Sequence, residues 1–271
     1  GTAETAAAET PMLSSGARRF VSVASALGGL LIIASYGAYW TIDDRIYAIG
    51  PGLIMGLFIL GIAAIAVGIA VTIDRSGRVS SGLTLGVSLV AGNALLTAFG
   101  IMAVEGVDYL NVGWLLAALG EMLIVAAGVA CLVSVARSGV IHAAWPSRLA
   151  RHDWAVIGLT LTGAVTLVAY TALIANEQGG TPYPAITMLW VVSYLVVGAV
   201  VVSTSPPAVS RGFLAAWALT ALGQPLSDLA FLDRVGHTMP GVALMVILIV
   251  VLIALVFVAA VRNREGARPA A

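Results

Sequence analysis

Along most of this chain apolar positions do not alternate with polar ones at either helix or strand period. They run on, and polar residues gather in short breaks between the runs. About 20 apolar residues cross a hydrocarbon core roughly 30 Å thick, and a helix satisfies its own backbone there. Sliding a window of about 19 residues along the chain gives eight runs, near Phe20 to Trp40, Pro51 to Ile73, Ser81 to Val104, Gly113 to Ala136, Trp154 to Ala175, Ile186 to Ser203, Phe213 to Leu232 and Met239 to Val261. The pattern therefore predicts an all-α, polytopic integral membrane protein with eight transmembrane helices. The seventh run is the least apolar, carrying Gln224, Pro225, Ser227 and Asp228, and is the place to expect a broken or re-entrant helix.

The breaks orient the bundle. Arginine held on the cytoplasmic side sets orientation, and with the N-terminus inside, eleven of the thirteen arginines fall in inner segments: Arg18, Arg19, Arg75, Arg78, Arg137, Arg148, Arg151, Arg211, Arg262, Arg264 and Arg268. Only Arg45 and Arg234 fall outside, where Asp43, Asp44, Glu105, Asp108, Glu177 and Asp233 also gather. Both termini are thus expected in the cytoplasm. The organisation read from this is a disordered cytoplasmic tail over 1–17, a first four-helix half over 18–136, a basic cytoplasmic or interfacial linker over 137–153, a second four-helix half over 154–262 and a cytoplasmic tail over 263–271. The linker carries Trp145 beside its arginines and runs into Trp154, so it reads either as a segment lying on the inner leaflet or as a solvated connection.

Offsetting the halves by about 134 residues places Tyr36 on Tyr170, and a slightly smaller offset places Gly92 and Asn93 on Gly223 and Gln224. Four spans return the chain to its starting side, so this is a possible four-plus-four tandem repeat in parallel orientation. Gly52 with Gly56, and Gly82 with Gly86, have the small-residue spacing that lets helix backbones approach, and helix packing is the reading preferred for both pairs.

Composition sharpens the class. Residues are 60% hydrophobic and 10% charged, against about 25% charged in soluble domains, so no sizeable soluble domain fits. Thirteen basic residues balance thirteen acidic ones, which gives no sign of a nucleic-acid partner. Lysine is absent and arginine, alanine, valine and glycine abound, as GC-rich coding produces, which points to a bacterial inner membrane.

The chemistry begins with Glu121, the one charged residue in "LLAALGEMLIVAAGVACLV". An ionisable group at mid-membrane costs on the order of 3 kcal/mol, so it needs a partner or a wet cavity. By helical rise, Glu121 lies roughly 13 Å below the outer edge of its span, and Asn93 and Gln224 lie roughly 16 Å above the inner edge of theirs. Asp228 follows Gln224, and Thr97 follows Asn93, each by one turn on the same face. These residues are the ligand- or proton-binding candidates: Glu121 to carry charge or a proton, Asp228 to relay it outward, Asn93 and Gln224 to orient a ligand. Pro225 withholds a backbone donor from the carbonyl of Ala221 and so frees it for another partner. The competing reading makes Glu121 interhelical glue, worth about 0.6 kcal/mol for an average membrane hydrogen bond.

Absences narrow the rest. Without lysine there is no retinal Schiff base. The three histidines, His142, His152 and His237, lie in breaks, and Cys131 is the single cysteine, so no cofactor and no metal site is expected. No nucleotide-binding loop or nucleophile–base pair is visible, which argues against an enzyme. The leading function is a transporter- or permease-like carrier of a small solute or ion. The alternatives are a non-transporting anchor or assembly subunit of a larger membrane complex, of which a quinol-linked complex is one version, and a lipid-handling or scaffolding protein. The expected partners are the lipid bilayer with either partner membrane subunits or further copies of the chain.

Overall fold

The computed structural model describes residues 12–42, 51–105, 112–177, 183–230 and 239–265. Its helices are α1 Ser15–Ile42, α2 Pro51–Ile73, α3 Arg78–Glu105, α4 Val112–Ser138, α5 Arg151–Glu177, α6 Tyr183–Ser203, α7 Pro207–Ala221, α8 Gly223–Ala230 and α9 Met239–Glu265. Among the described residues there is also one pair of two-residue strands, β1 His142–Ala143 and β2 Thr204–Ser205. Among the described residues six helices are long and apolar enough to cross a membrane: α1 to α5 and α9. In α6 the apolar stretch Met188–Ser203 is shorter. The expected seventh run is interrupted at Leu222, where α7 gives way to α8. Large apolar side chains cover the outside, among them Leu30, Ile69, Val165, Val250 and Phe257. A water-facing surface does not carry such a girdle, and lipid accepts it, so the chain is a multi-pass membrane protein.

The helices close into two rings. α1 packs on α2 and α4, and α3 packs on the same two; α5 packs on α6 and α9, and α7 packs on the same two. The rings meet where α3 lies along α7, flanked by contacts of α2 with α7 and α8 and of α3 with α6.

Lipid tails are as apolar as leucine, so helices in a membrane associate through close packing more than through burial of oily surface. The glycines mark where that packing is tightest. On α1 and α4, a Cβ added at Gly28 would come within 2.7 Å of the Gly120 carbonyl oxygen. On α3, Gly82 lies against Val209 and Phe213, and a Cβ at Gly86 would sit 2.8 Å from the Trp217 nitrogen. The order of these contacts makes α3 and α7 parallel neighbours in backbone contact. Gly56 meets Gly223 in the same way, joining α2 to the start of α8.

One end of the bundle is basic and tied together. The Arg18 guanidinium donates to the Arg75 carbonyl at 2.7 Å. The Met12 N–H donates to the Ser76 carbonyl at 3.2 Å, and the Ser134 hydroxyl donates to the Met12 carbonyl at 3.4 Å. Met12 and Leu13 are thereby buried between the α2–α3 turn and α4.

That turn is organised by Asp74. Its Oδ1 accepts from the Ser76 N–H at 3.1 Å, the Ser76 hydroxyl at 2.7 Å and the Gly77 N–H at 3.1 Å, and Oδ2 accepts from the Ser80 N–H at 3.0 Å. Gly77, at φ +72°, takes the left-handed conformation that glycine adopts without penalty. Partial burial works against the ionised carboxyl, but the bonds from Ser80, Ser76 and Gly77 prevail and hold its pKa below the ordinary 3.8.

Two outcomes follow. Gly86→Val, which drives a side chain into the α7 backbone, should destabilise the folded protein by about 1–3 kcal/mol, whereas Gly16→Ala, with nothing within 4 Å of the added carbon, should leave thermal melting in detergent unchanged. Asp74→Ala should cost about 1 kcal/mol, the usual worth of a capping carboxylate. Because the folded pKa is depressed, that contribution is complete above the ordinary carboxyl value and fades as pH falls through the lower folded one. Melting curves of wild type and Asp74→Ala should therefore converge below about pH 4 and separate above it.

Candidate functional site

The seam between the rings holds the candidate chemistry. Gly82 and Gly86 seat α3 on α7, and the same face of α3 continues about two and three turns further to Asn93 and Thr97. Opposite this continuation α7 ends. Leu222 closes it by donating to the Ala218 carbonyl, and the ladder resumes with Leu226 donating to Leu222, both at 3.1 Å. Leu222 keeps helical dihedrals, φ −58° and ψ −26°, so the chain is interrupted rather than severed here: Pro225 lies between these bonds and has no N–H to give the Ala221 carbonyl.

Beside the break lies a cavity of about 30 Å³, lined by Gly56, Leu57 and Leu60 of α2, Val90 and Ala94 of α3, Trp190 of α6, Thr220 of α7 and Gln224 of α8. That volume admits one or two water molecules or a small ion. Its walls are mostly apolar and its polar groups converge from the second ring.

Two side chains along the seam carry unspent hydrogen-bonding capacity. Asn93 is 7% exposed, and its Nδ2 is buried without a partner. The Thr97 hydroxyl is likewise buried and unpartnered. The contrast with other threonines gives this weight. Thr84, Thr160, Thr166, Thr171 and Thr220 each donate to the carbonyl four residues back, at 2.6–2.8 Å. That is the ordinary resting place of a helix-buried hydroxyl, and Thr97 does not use it.

Glu121 sits elsewhere. It is 2% exposed on α4, a helix that packs on α1 and α3. The Ser88 hydroxyl donates across to the Ile124 carbonyl at 2.8 Å. Counting five residues on from Ser88 and three back from Ile124 puts Asn93 and Glu121 within about one helical turn of the same level. No hydrogen bond or ion pair reaches Glu121 among the described residues. Of the four sequence candidates, Gln224 lines the cavity, Asn93 lies on the seam beside it, and Glu121 stands behind α3 within the first ring. Asp228 belongs to α8, and its side chain falls outside the described residues, as do the breaks at 43–50 and 231–238 that carry the expected outer mouth. Thr220 and Trp190 were not singled out by sequence. Thr220 precedes Gln224 by one turn and was legible as the same face, whereas Trp190 needed the packing of α6.

Among the described residues no group of three histidine, cysteine, aspartate or glutamate side chains is placed to hold a metal ion. Comparison with known proteins returns no matching family model, no matching curated protein and no matching solved structure.

A buried amide without a partner is costly to keep. Asn93→Leu should therefore match or exceed wild type in melting temperature, since removing an unsatisfied polar group relieves its desolvation penalty. Ser88→Ala should lower stability by about 0.6 kcal/mol, the mean worth of an interhelical membrane hydrogen bond. Thermal denaturation of the three proteins in one detergent checks both.

Proposed function

We propose that this chain is a membrane carrier for a small solute or ion, which it binds at the seam between two four-helix halves. The observation that carries the reading is the pairing of unspent donors on α3, Asn93 and Thr97, with the α7–α8 junction, where Pro225 interrupts the backbone ladder beside a water-sized cavity. Broken helices at membrane depth are tolerated where backbone lines a cavity, and carriers place their sites at such breaks between repeats.

In this reading the protein has eight spans, with α6 and the α7–α8 pair as the sixth and seventh, and both termini in the cytoplasm of a bacterial cell. The matching rings support a parallel four-plus-four repeat: α1 to α4 contact one another as α5, α6, α7 and α9 do, and α2 with α7 mirrors α6 with α3. Asn93 from the first half and Gln224 from the second orient the ligand. Glu121 supplies charge or a proton from behind α3, and Asp228 relays it outward. Rocking of one ring against the other around α3 and α7 exposes the seam to each side in turn.

The test is transport by purified protein in liposomes, read as current on a solid-supported membrane during pulses of sodium ion, protons, amino acids and sugars. Wild type should respond to at least one class. Asn93→Leu and Glu121→Gln should each lower that response about tenfold or more, the loss expected when a buried polar contact to substrate is removed, while melting temperature holds. Silence to every class, or responses unchanged in both variants, overturns the reading. A partner chain or quinone-sized mass retained in native mass spectrometry would then favour the anchor subunit.

A further inference from the structure

The segment joining the two rings is built as a surface of its own. From Gly139, at φ +64°, to Ala150 it is not helical, yet it is held at several points. β1 pairs antiparallel with β2, His142 opposite Ser205 and Ala143 opposite Thr204, and the Ala144 N–H donates to the Ser203 carbonyl at 3.0 Å. Val140, Ile141 and Leu149 pack down against the core. The opposite side of the strap is left bare. Trp145 is 62% exposed and Trp154, in the first turn of α5, is 61% exposed.

Three arginines frame these rings: Arg137 at the end of α4, Arg148 in the strap and Arg151 at the start of α5, all exposed. None has a carboxylate partner among the described residues. The one acid of the segment, Asp153, is buried, with Oδ2 accepting from the Ala150 N–H at 2.9 Å and Oδ1 lying 3.6 Å from the His152 Nε2. Its Oδ2 caps the start of α5, and three arginines stand against this one acid across the segment.

Indole rings settle at headgroup depth, where an apolar face and a polar N–H are both accommodated. Guanidinium groups beside them present planar forks matched to phosphate oxygens. A solvated connection needs neither, and its tryptophans would be expected to fold inward. We propose that the strap from Arg137 to Trp154 is a docking surface for anionic phospholipid headgroups at the basic face of the membrane. Trp145 and Trp154 insert at the interface, and Arg137, Arg148 and Arg151 take the phosphates. Bilayer lipid is the source because the tryptophans flank Arg148 and Arg151 and the strap joins the ends of two membrane-spanning helices, α4 and α5.

The experiment is lipid titration of the full chain in detergent, followed by native mass spectrometry, with phosphatidylglycerol and phosphatidylcholine of identical acyl chains. Phosphatidylglycerol should be retained at least tenfold more tightly, since each arginine near an anionic surface contributes roughly fivefold. Replacing all three, R137Q/R148Q/R151Q, should erase the preference, and the lysine triple R137K/R148K/R151K should keep most of it, which guards against a misfolded variant. In liposomes, brominated phosphatidylglycerol should quench wild-type fluorescence more than W145F/W154F fluorescence. Equal retention of the two lipids, a preference that survives the glutamine triple, or displacement by millimolar inorganic phosphate would each overturn the proposal.

Discussion

Inside a bilayer, one helix gains little by hiding apolar surface from lipid, so the structure depends on backbones that come close enough to touch. The decisive contact is α3 on α7, where Gly82 and Gly86 admit the main chain of Val209, Phe213 and Trp217. It joins the two rings, fixes α3 and α7 as parallel neighbours, and sets the register that carries Asn93 to the α7–α8 junction and Thr97 about a turn past it. Gly28 with Gly120 and Gly56 with Gly223 repeat the device within the first ring and between α2 and α8. The polar residues of the seam are therefore placed by residues that have no side chains.

Sequence pattern alone located the helices well, because hydrocarbon imposes length and polarity on each span separately. The apolar runs at Pro51 to Ile73 and Met239 to Val261 start where α2 and α9 start, and Pro225 marked the neighbourhood of a break. The spacing of Gly82 and Gly86 announced close packing without saying against what. Depth was legible too, since it needs only helical rise, and it put Asn93, Gln224 and Glu121 at one level. Azimuth was not. Which way a residue faces around its helix depends on neighbours that the sequence does not name, and for that reason depth alone groups Glu121, behind α3, with Gln224 on the other side of it.

The same limit hid the strap and the start of the chain. Trp145 beside Arg148 suggested an interfacial segment, but its pairing with Thr204 and Ser205 joins residues far apart in sequence through two-residue strands with no periodicity to detect. Met12 and Leu13 lay in a stretch that reads as a tail, and two apolar residues among alanines and polar ones give no signal of burial. Thr97 shows what the coordinates add to composition. Threonine is unremarkable in any span, and only the bond it does not make sets this one apart.

Met12 is held on one side by the turn after α2 and on the other by Ser134 near the end of α4. The segment ahead of the first span thus cannot reach its place until the fourth has been synthesised and inserted. The order of biosynthesis and the order of completion are opposed: the earliest of these residues to leave the ribosome gains its full set of contacts only when α4 is present. The first ring is sealed from its beginning only once its final helix exists, so a chain interrupted before α4 would leave that end open, its Met12 and Leu13 exposed to whatever quality-control machinery surveys unfinished membrane proteins.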